Sequence, residues 1–254
     1  MAALVAAILW NEFSYGILFL TVTVLGVAEL SKLFKVKGIA VQGIIAVLTG
    51  TLIFAFSYLN QKGFSAPLTF LILPILAIFI FELFVDKEDS LRNIIYSIFI
   101  PIYVALPLSF LNNIAFFNGV YNSTLLLGFF ILMWSNDTGA YLIGSTMGKH
   151  PLFKRISPKK TLEGFFGGVL FVQLIVVIIF YTTHSMRLLD WSIIGLIISL
   201  GGTVGDLVES LLKRNLEVKD SGSILPGHGG ILDRFDGVIF AAPMVACYLS
   251  TICI

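Results

Sequence analysis

The stretch EGFFGGVLFVQLIVVIIFYTT, residues 163–183, has only one charged side chain, Glu163, at its first position. About 20 consecutive apolar residues in a helix are enough to cross the hydrocarbon core of a bilayer. An open strand would leave backbone N–H and C=O groups unpaired in lipid, so a helix is the expected form. The stretch therefore predicts a transmembrane helix.

The rest of the chain has the same composition. Of its 254 residues 57% are hydrophobic and 12% are charged, and the mean hydropathy is +0.97. A soluble domain carries about 25% charged residues. The composition therefore excludes a soluble globular protein and predicts an all-α, polytopic integral membrane protein. Apolar runs predict about eight spans after a short apolar segment at 1–11; they lie at 13–34, 38–59, 66–85, 92–111, 121–147, 163–183, 191–214 and 232–253.

Basic residues are distributed unevenly between the segments that connect these spans. Only Lys62 and Arg187 lie on one side of the predicted membrane. Cytoplasmic segments are enriched in Lys and Arg, so the crowded side is predicted to be cytoplasmic, with both termini on the far side. The residues of the crowded side are Lys32, Lys35, Lys37, Lys87, Arg92, Lys149, Lys154, Arg155, Lys159, Lys160, Lys213, Arg214, Lys219 and Arg234.

The main exception to the apolar composition is KRNLEVKDSGSILPGHGGILDRFDG, residues 213–237. Asp206, Ser210 and Lys213 are spaced i, i+4, i+7, which places them on one stripe of a helix, with Glu209 close beside it. Carboxylates at membrane depth are costly and usually face a partner or a wet cavity. Asp206 is therefore a candidate functional residue.

Two further carboxylates lie where the last predicted span begins. Asp233 and Asp236 are three residues apart and share a helix face. The last two spans can thus present acidic groups to one point at the cytoplasmic surface, an oxygen-rich arrangement that suits Mg²⁺. Asp137, near the end of the fifth predicted span, is another intramembrane carboxylate.

Each charge also has a purely structural explanation. Lys213 and Arg214 at a helix C-terminus offset the helix dipole and anchor the headgroup boundary. Asp233 and Asp236 near a helix start serve equally well as N-terminal capping charges. This explanation is weakest for Asp206, because a carboxylate in the middle of a helix gains nothing from capping.

The positions of the glycines support two different predictions. PGHGG at 226–230 lies in a loop between charged segments, where glycines let backbone N–H groups approach an anion such as phosphate. His228 of that loop has three alternative roles: a general base, a hydrogen-bond donor to a phosphate, or a contact that only stabilises the loop. Two further pairs have GxxxG spacing, which predicts close helix contacts: Gly164 with Gly168, and Gly201 with Gly205.

Acidic groups for a metal, basic groups for phosphates and a glycine-rich loop together indicate phosphoryl or nucleotidyl transfer to a molecule dissolved in the bilayer. A transporter that uses intramembrane carboxylates is the main alternative from another class. It predicts polar residues on both sides of the membrane midplane, whereas here they crowd toward one end.

The charged segment also resembles a known signature, that of the phosphatidate cytidylyltransferase (CDP-diacylglycerol synthase) family. A second stretch, NDTGAYLIGSTMGKHPLFKRISPKKTLEG at 136–164, is similar to the upstream block of the same family. Residues 1–120 match only as apolar spans, so we interpret 1–120 as N-terminal transmembrane helices and 121–254 as the catalytic region of one membrane domain. The matching positions are Ser210, Lys213, Arg214, Lys219, Asp220, Gly222, Leu225, Pro226, His228, Gly229, Gly230, Asp233, Arg234 and Asp236.

The resemblance implies that CTP and phosphatidic acid react to give CDP-diacylglycerol and pyrophosphate. It implies magnesium as cofactor, with a monovalent ion such as K⁺ as an alternative occupant of a second metal position. It also favours a homodimer, and an inner-membrane location with the active site facing the cytoplasm; no nucleic-acid partner is expected. A CTP-dependent lipid-alcohol kinase of the same superfamily is the second enzymatic hypothesis.

The resemblance also implies roles for individual residues. Asp206 and Asp233 are the first choices as metal ligands, and Asp236 and Asp137 are the second. Ser210 would support the metal site through its hydroxyl. The catalytic set implied by the resemblance is Asp206, Asp233, Asp236, Lys213 and Arg214. The residues implied to hold the phosphates or to line the substrate site are Lys159, Lys160, Lys213, Arg214, Lys219, His228, Gly229, Gly230 and Arg234.

Overall fold

A computed structural model of the chain describes residues 2–65, 67–85, 89–218, 221–222 and 229–252. Helices dominate these residues, as the composition predicts. In chain order they are α1 (Ala2–Trp10), α2 (Glu12–Val36), α3 (Gly43–Gln61), α4 (Ile72–Glu82), α5 (Ser90–Ser109), α6 (Leu111–Ala115), α7 (Ser123–Met147), α8 (Leu162–Thr183), α9 (Leu188–Asn215) and α10 (Leu232–Ile252). Between α7 and α8 the chain forms a short antiparallel hairpin, β1 (Pro151–Phe153) with β2 (Ser157–Thr161).

The predicted fold class is confirmed. Within the described ranges, seven helical segments are long and apolar enough to cross a membrane. These are α2, α3, α5 with its continuation to Ala115, α7, α8, α9 and α10. The protein is therefore a multi-pass membrane protein, and α1 is the short apolar segment expected before the first span.

The third predicted span, 66–85, differs most from the structure. A 3₁₀ turn, Leu68–Leu71, precedes α4, which has 11 residues. A helix of that length reaches about 16 Å, short of the roughly 30 Å hydrocarbon core. Pro74 explains the late start, because proline lacks an N–H group and is tolerated best in the first turn of a helix.

The chain divides into two compact units. The first comprises Met1–Asn113 with Asn215–Phe235, and the second comprises Ile114–Arg214 with Asp236–Ile254. α10 therefore contributes its first residues to one unit and the rest to the other.

In the first unit, α2 packs against α3 and α5. Fully buried aromatic side chains of α2 form much of this core, including Tyr15, Phe19 and Phe34. The Tyr15 hydroxyl donates a hydrogen bond to Oδ1 of Asn112 at 2.9 Å, so this buried polar group is satisfied. Gly50 allows α3 to approach α2 closely, since an added Cβ would lie 3.0 Å from a methyl carbon of Val27.

In the second unit, α7 packs along α8. Added Cβ atoms at Gly139 and Gly168 would meet α8 and α7 backbone oxygens, respectively, at 3.0 Å. α9 carries the fully buried Trp191, and its ring lies against Gly128 of α7. Small residues thus let these helices approach closely, the usual way in which membrane helices associate.

Large apolar side chains on the outer helix faces are exposed in both units. Ile44 of α3 is 79% exposed and Leu170 of α8 is 68% exposed. Contiguous apolar exposure is uncommon on soluble proteins, whereas lipid tails solvate such side chains without cost. The exposed residues therefore correspond to a lipid-facing surface.

Candidate active site

A cleft of about 630 Å³ opens in the second unit. α7, the hairpin, α8 and α9 form its walls. Its charged lining residues are Asp137 of α7, Lys159 and Lys160 of β2, and Asp206 of α9. Four residues that the sequence nominated for the site therefore line one cavity.

Three carboxylates meet beside this cleft. One oxygen from each of Asp206, Glu209 and Asp236 lies within 4.8 Å of the others. Asp206 and Glu209 come from α9 and Asp236 comes from α10, so the last two spans do bring acidic groups together. Glu209 is only 3% exposed, whereas Asp206 and Asp236 are partly accessible.

Basic side chains offset the charge of this cluster. Lys160 forms an ion pair with Oδ2 of Asp206, and Lys213 donates to Oε2 of Glu209 at 3.0 Å. Two like charges about 4 Å apart repel by about 4 kcal/mol at an effective dielectric of about 20. Three carboxylates so close together therefore need cations, and the two lysines supply two positive charges.

The approach of α10 to α9 is what allows the cluster to form. A Cβ added to Gly205 would lie 2.9 Å from the carbonyl carbon of Asp236, and one added to Gly201 would lie 2.8 Å from the Cα of Ala241. The close contact predicted for this GxxxG pair is confirmed. Because Gly205 directly precedes Asp206, the same contact brings Asp206 and Asp236 together.

The hairpin places the two cleft lysines. His150 and Glu163 close its base, with Nδ1 of His150 2.5 Å from Oε1 of Glu163. The other carboxylate oxygen of Glu163 accepts the backbone N–H groups of Lys149 and His150, at 3.1 and 3.2 Å. Thr161 ends β2 and caps α8, since its side-chain oxygen accepts the N–H of Gly164 at 3.1 Å.

The second unit also contains Ser210, Asp236 and Arg214 of the nominated set. Ser210 donates a long hydrogen bond, 3.4 Å, to Oδ1 of Asp206. Asp236 accepts the N–H of Gly237 at 2.7 Å. Arg214 is exposed at the C-terminal end of α9.

The remaining described residues of the signature belong to the first unit. The Asp233 carboxylate accepts the backbone N–H of Gly230 at 2.9 Å and that of Ser221 at 3.1 Å. Both donors belong to the segments that precede α10, so these two contacts have a structural role. Gly229 has a φ of +82°, a left-handed conformation that favours glycine. Arg234 follows Asp233 in the first turn of α10.

Two nominated residues, Lys219 and His228, lie outside the described residues, as does Lys87 of the basic set. Nothing in the described part of the chain tests the metal or substrate roles assigned to any nominated residue. Those assignments stay predictions.

Two residues are not among those that the sequence nominates. Helical spacing puts Glu209 beside the Asp206 stripe but does not identify it as a ligand. Glu29 of α2 contacts the signature segment within the first unit. No spacing signal could reveal it, because its hydrogen-bond partners there lie 192 to 203 residues away.

Comparison with known proteins relates the chain to cytidylyltransferases. A family model described as the cytidylyltransferase family matches residues 1–252. The chain is 31% identical over 245 residues to a phosphatidate cytidylyltransferase of Bacillus subtilis (strain 168), a match that covers 94% of this chain and 90% of that protein.

Staphylococcal proteins are more similar over a shorter stretch. The chain is 54% identical over 120 residues to a phosphatidate cytidylyltransferase of Staphylococcus aureus (strain COL) and 48% identical over 117 residues to one of Staphylococcus haemolyticus (strain JCSC1435). Each match covers 46% of this chain and 45% of the relative. The matched part thus spans about half the length of these relatives.

Proposed function

The chain belongs to the cytidylyltransferase family, and from this premise we propose that it is a phosphatidate cytidylyltransferase. It transfers the cytidylyl group of CTP to phosphatidic acid, giving CDP-diacylglycerol and pyrophosphate. The observation that carries the proposal is the cleft of the second unit, where the lysines of β2 adjoin the Asp206–Glu209–Asp236 cluster.

The chemistry needs little more than positioning. A phosphate oxygen of phosphatidic acid attacks the α-phosphorus of CTP, the bond from that phosphorus to the bridging oxygen breaks, and pyrophosphate leaves with the electron pair. The nucleophile is already an anion, so no strong general base is required. The barrier comes from bringing two anions together and from charge that develops on the leaving group.

Lysines at the cleft are suited to both tasks. Lys159 and Lys160 lie on β2, whose last residue, Thr161, caps α8. The Glu163 contacts hold the other end of the same hairpin, just before β1. The ammonium groups of the two lysines can bind phosphate oxygens of CTP or of the lipid. Lys160 is already paired with Asp206, so a bound phosphate would compete with that carboxylate for the same ammonium group.

The donor set also fits a magnesium ion. Three carboxylates within 4.8 Å of one another offer the oxygen ligands that hard cations prefer. Asp206 and Asp236 would hold the ion, with Glu209 or the Ser210 hydroxyl in support. When bound, it would neutralise charge on the triphosphate. Asp233 and Asp137 stay proposed ligands, and K⁺ stays a proposed occupant of a second position.

The location follows from the same premise. CTP is dissolved in the cytoplasm, whereas the acyl chains of phosphatidic acid stay in the membrane. We place the protein in the bacterial inner membrane with the cleft facing the cytoplasm. The hairpin beside the cleft and the end of α9 are rich in Lys and Arg, an enrichment typical of the cytoplasmic side, and this supports the orientation. The homodimer favoured by the family resemblance can be tested by native mass spectrometry of the protein in detergent.

A labelling experiment distinguishes the three functional hypotheses. Purified protein is incubated with phosphatidic acid, Mg²⁺ and CTP labelled in either the α- or the γ-phosphate. Cytidylyl transfer moves the α label into lipid and the γ label into pyrophosphate. A lipid-alcohol kinase, given diacylglycerol or another lipid alcohol, would move the γ label into lipid. A transporter would consume no CTP, and absence of labelled CDP-diacylglycerol beside an active control enzyme would reject the proposal.

A further inference from the structure

Glu29 of α2 is a buried carboxylate within the first unit. It is only 3% exposed, and both of its oxygens are used. Oε2 accepts the backbone N–H of Ile231 at 2.8 Å, and Oε1 accepts that of Leu232 at 3.2 Å. Oε1 also accepts a short hydrogen bond from the hydroxyl of Ser221. A side chain of the first long helix thus holds both Ser221 and the start of α10.

The start of α10 explains why a carboxylate suits this place. The first N–H groups of a helix have no partner within it, and the helix dipole makes that end positive. Glu29 supplies acceptors for two of these N–H groups from a different helix. A buried charge is costly unless it is hydrogen-bonded, and here three donors surround it.

Two signature glycines are needed to make room for this carboxylate. A Cβ added to Gly222 would lie 2.9 Å from Cδ of Glu29. A Cβ added to Gly230 would overlap with Oε1 of Glu29 and with the Ser221 hydroxyl. In this structure these glycines therefore admit a side chain of the protein itself.

Glu29 and Asp233 share a partner. Ser221 donates its hydroxyl to Glu29 and its backbone N–H to Asp233. Gly230, whose N–H is donated to Asp233, directly precedes Ile231 and Leu232, which are held by Glu29. The position of the Asp233 carboxylate therefore depends on Glu29 in two ways: through Ser221, and through the backbone from Gly230 to Leu232.

We propose that Glu29 is a positioning residue for the reaction: it fixes Ser221 and the start of α10 on α2 so that Asp233 and Arg234 are presented in one arrangement to the substrates. The expected effect on the kinetics rests on the proposed function, whereas the hydrogen bonds that Glu29 makes do not depend on it. Both carboxylate oxygens matter. A glutamine would turn an NH₂ group toward one of the surrounding donors, leaving at least one hydrogen bond broken.

The test compares Glu29→Gln with a matched control, Glu82→Gln. Glu82 is also a buried glutamate of the first unit, 4% exposed. Its oxygens accept from Nε2 of Gln42 at 2.9 Å and Nδ2 of Asn93 at 2.7 Å, residues outside the signature segment. Both variants remove one buried negative charge, and only Glu29→Gln alters an anchor of the loop.

Two measurements are made on each variant in detergent micelles or nanodiscs. Hydrogen–deuterium exchange followed by mass spectrometry reports the protection of the amides of residues 229–235 and needs no activity. Steady-state kinetics with CTP and phosphatidic acid report kcat and KM. Glu29→Gln is expected to speed exchange in this segment about 10-fold or more and to lower kcat/KM for CTP about 10- to 100-fold. Glu82→Gln is expected to leave both near the wild-type values.

The outcomes separate the hypotheses. Wild-type exchange and kinetics in Glu29→Gln would overturn the proposal. Equal losses in both variants, matched by equal losses of thermal stability, would also overturn it, because Glu29 would then serve only the general fold. Glu29→Asp, which keeps the charge but has shorter reach, should recover part of the protection and of kcat/KM. Inactive wild-type protein with faster exchange only in Glu29→Gln would reject the proposed function while supporting the anchor.

Discussion

Lys160 of the hairpin forms an ion pair with Asp206 of α9, and the two side chains line the same cleft. The pair joins the upstream block of the sequence to the helix that leads into the charged signature, within the second unit. A cation from a short strand and an anion from a long membrane helix thus meet in the cleft proposed to bind the substrates.

The first prediction concerns Lys160. Lys160→Met keeps the aliphatic stem and removes the charge, so it should lower kcat/KM for CTP about 10²-fold, the scale seen when one charge-stabilising donor is lost. The measurement is initial rate against CTP concentration at saturating phosphatidic acid. Lys154→Met, an exposed lysine in the turn of the same hairpin, is the control and should stay near the wild-type value. Equal effects of the two variants would contradict a specific role for Lys160.

The second prediction concerns the acidic cluster. Asp206→Asn and Asp236→Asn should each lower kcat about 10³-fold, because each removes one charge from the oxygen set proposed to hold magnesium. Asp190→Asn is the control on the same helix as Asp206. Asp190 pairs with Arg187 at 2.8 Å and accepts from the Tyr248 hydroxyl, away from the cleft. If folded Asp206→Asn protein turned over normally, the proposed site would be wrong.

A third prediction follows for the metal itself. Chelation of divalent cations with EDTA should abolish transfer, and addition of Mg²⁺ should restore it. In Glu209→Gln the ion would lose one supporting charge, so the Mg²⁺ concentration giving half-maximal rate should rise about 10-fold. The titration is repeated at two fixed CTP concentrations to separate the protein's ion from that carried by the nucleotide. Full activity in EDTA would exclude a required divalent ion.

Much of the membrane architecture could be predicted because it depends on local composition. α2, α7, α8, α9 and α10 begin and end within a few residues of the predicted spans, since charged or polar residues follow each apolar run. The hairpin could not be predicted. Its strands have three and five residues, too few for an alternating pattern. Glu163 holds the base of the hairpin, but from the sequence it is only the first residue of a predicted span.

The candidate site was predictable to the extent that its residues share a helix. Asp206, Glu209 and Ser210 are neighbours through helical spacing alone. The contact of Asp206 with Lys160 and that of Glu29 with Ile231 depend on how segments distant in the sequence pack together. A single sequence contains no periodic signal for such contacts.

A fourth prediction tests whether Asp233 does more than cap the loop. Asp233→Asn keeps one carbonyl oxygen that can accept the Gly230 N–H, so Gly230 and the start of α10 should stay in place. If Asp233 also binds metal, kcat should fall about 10²-fold or more. Exchange protection of residues 229–235 and activity are measured together. Asp89→Asn is the control, because Asp89 is an exposed residue with φ 65°, a conformation that asparagine also tolerates. Normal turnover in a folded Asp233→Asn protein would leave Asp233 a capping residue only.

The last prediction concerns the helix contact beneath the acidic cluster. In Gly205→Ala the new methyl group would meet the backbone of Asp236, with Gly237 Cα only 3.0 Å away. Backbone atoms cannot rotate aside, so α10 must shift from α9, at a cost of about 1–3 kcal/mol or more. Gly43→Ala in the first turn of α3 is the control; its nearest contact, at 3.3 Å, is the flexible end of Lys35, and alanine should be tolerated there. Thermal unfolding in detergent should show a lower Tm for Gly205→Ala alone. Because the shift would also separate Asp206 from Asp236, activity should fall at temperatures where the variant is still folded; a destabilised but fully active variant would show that their proximity is not needed.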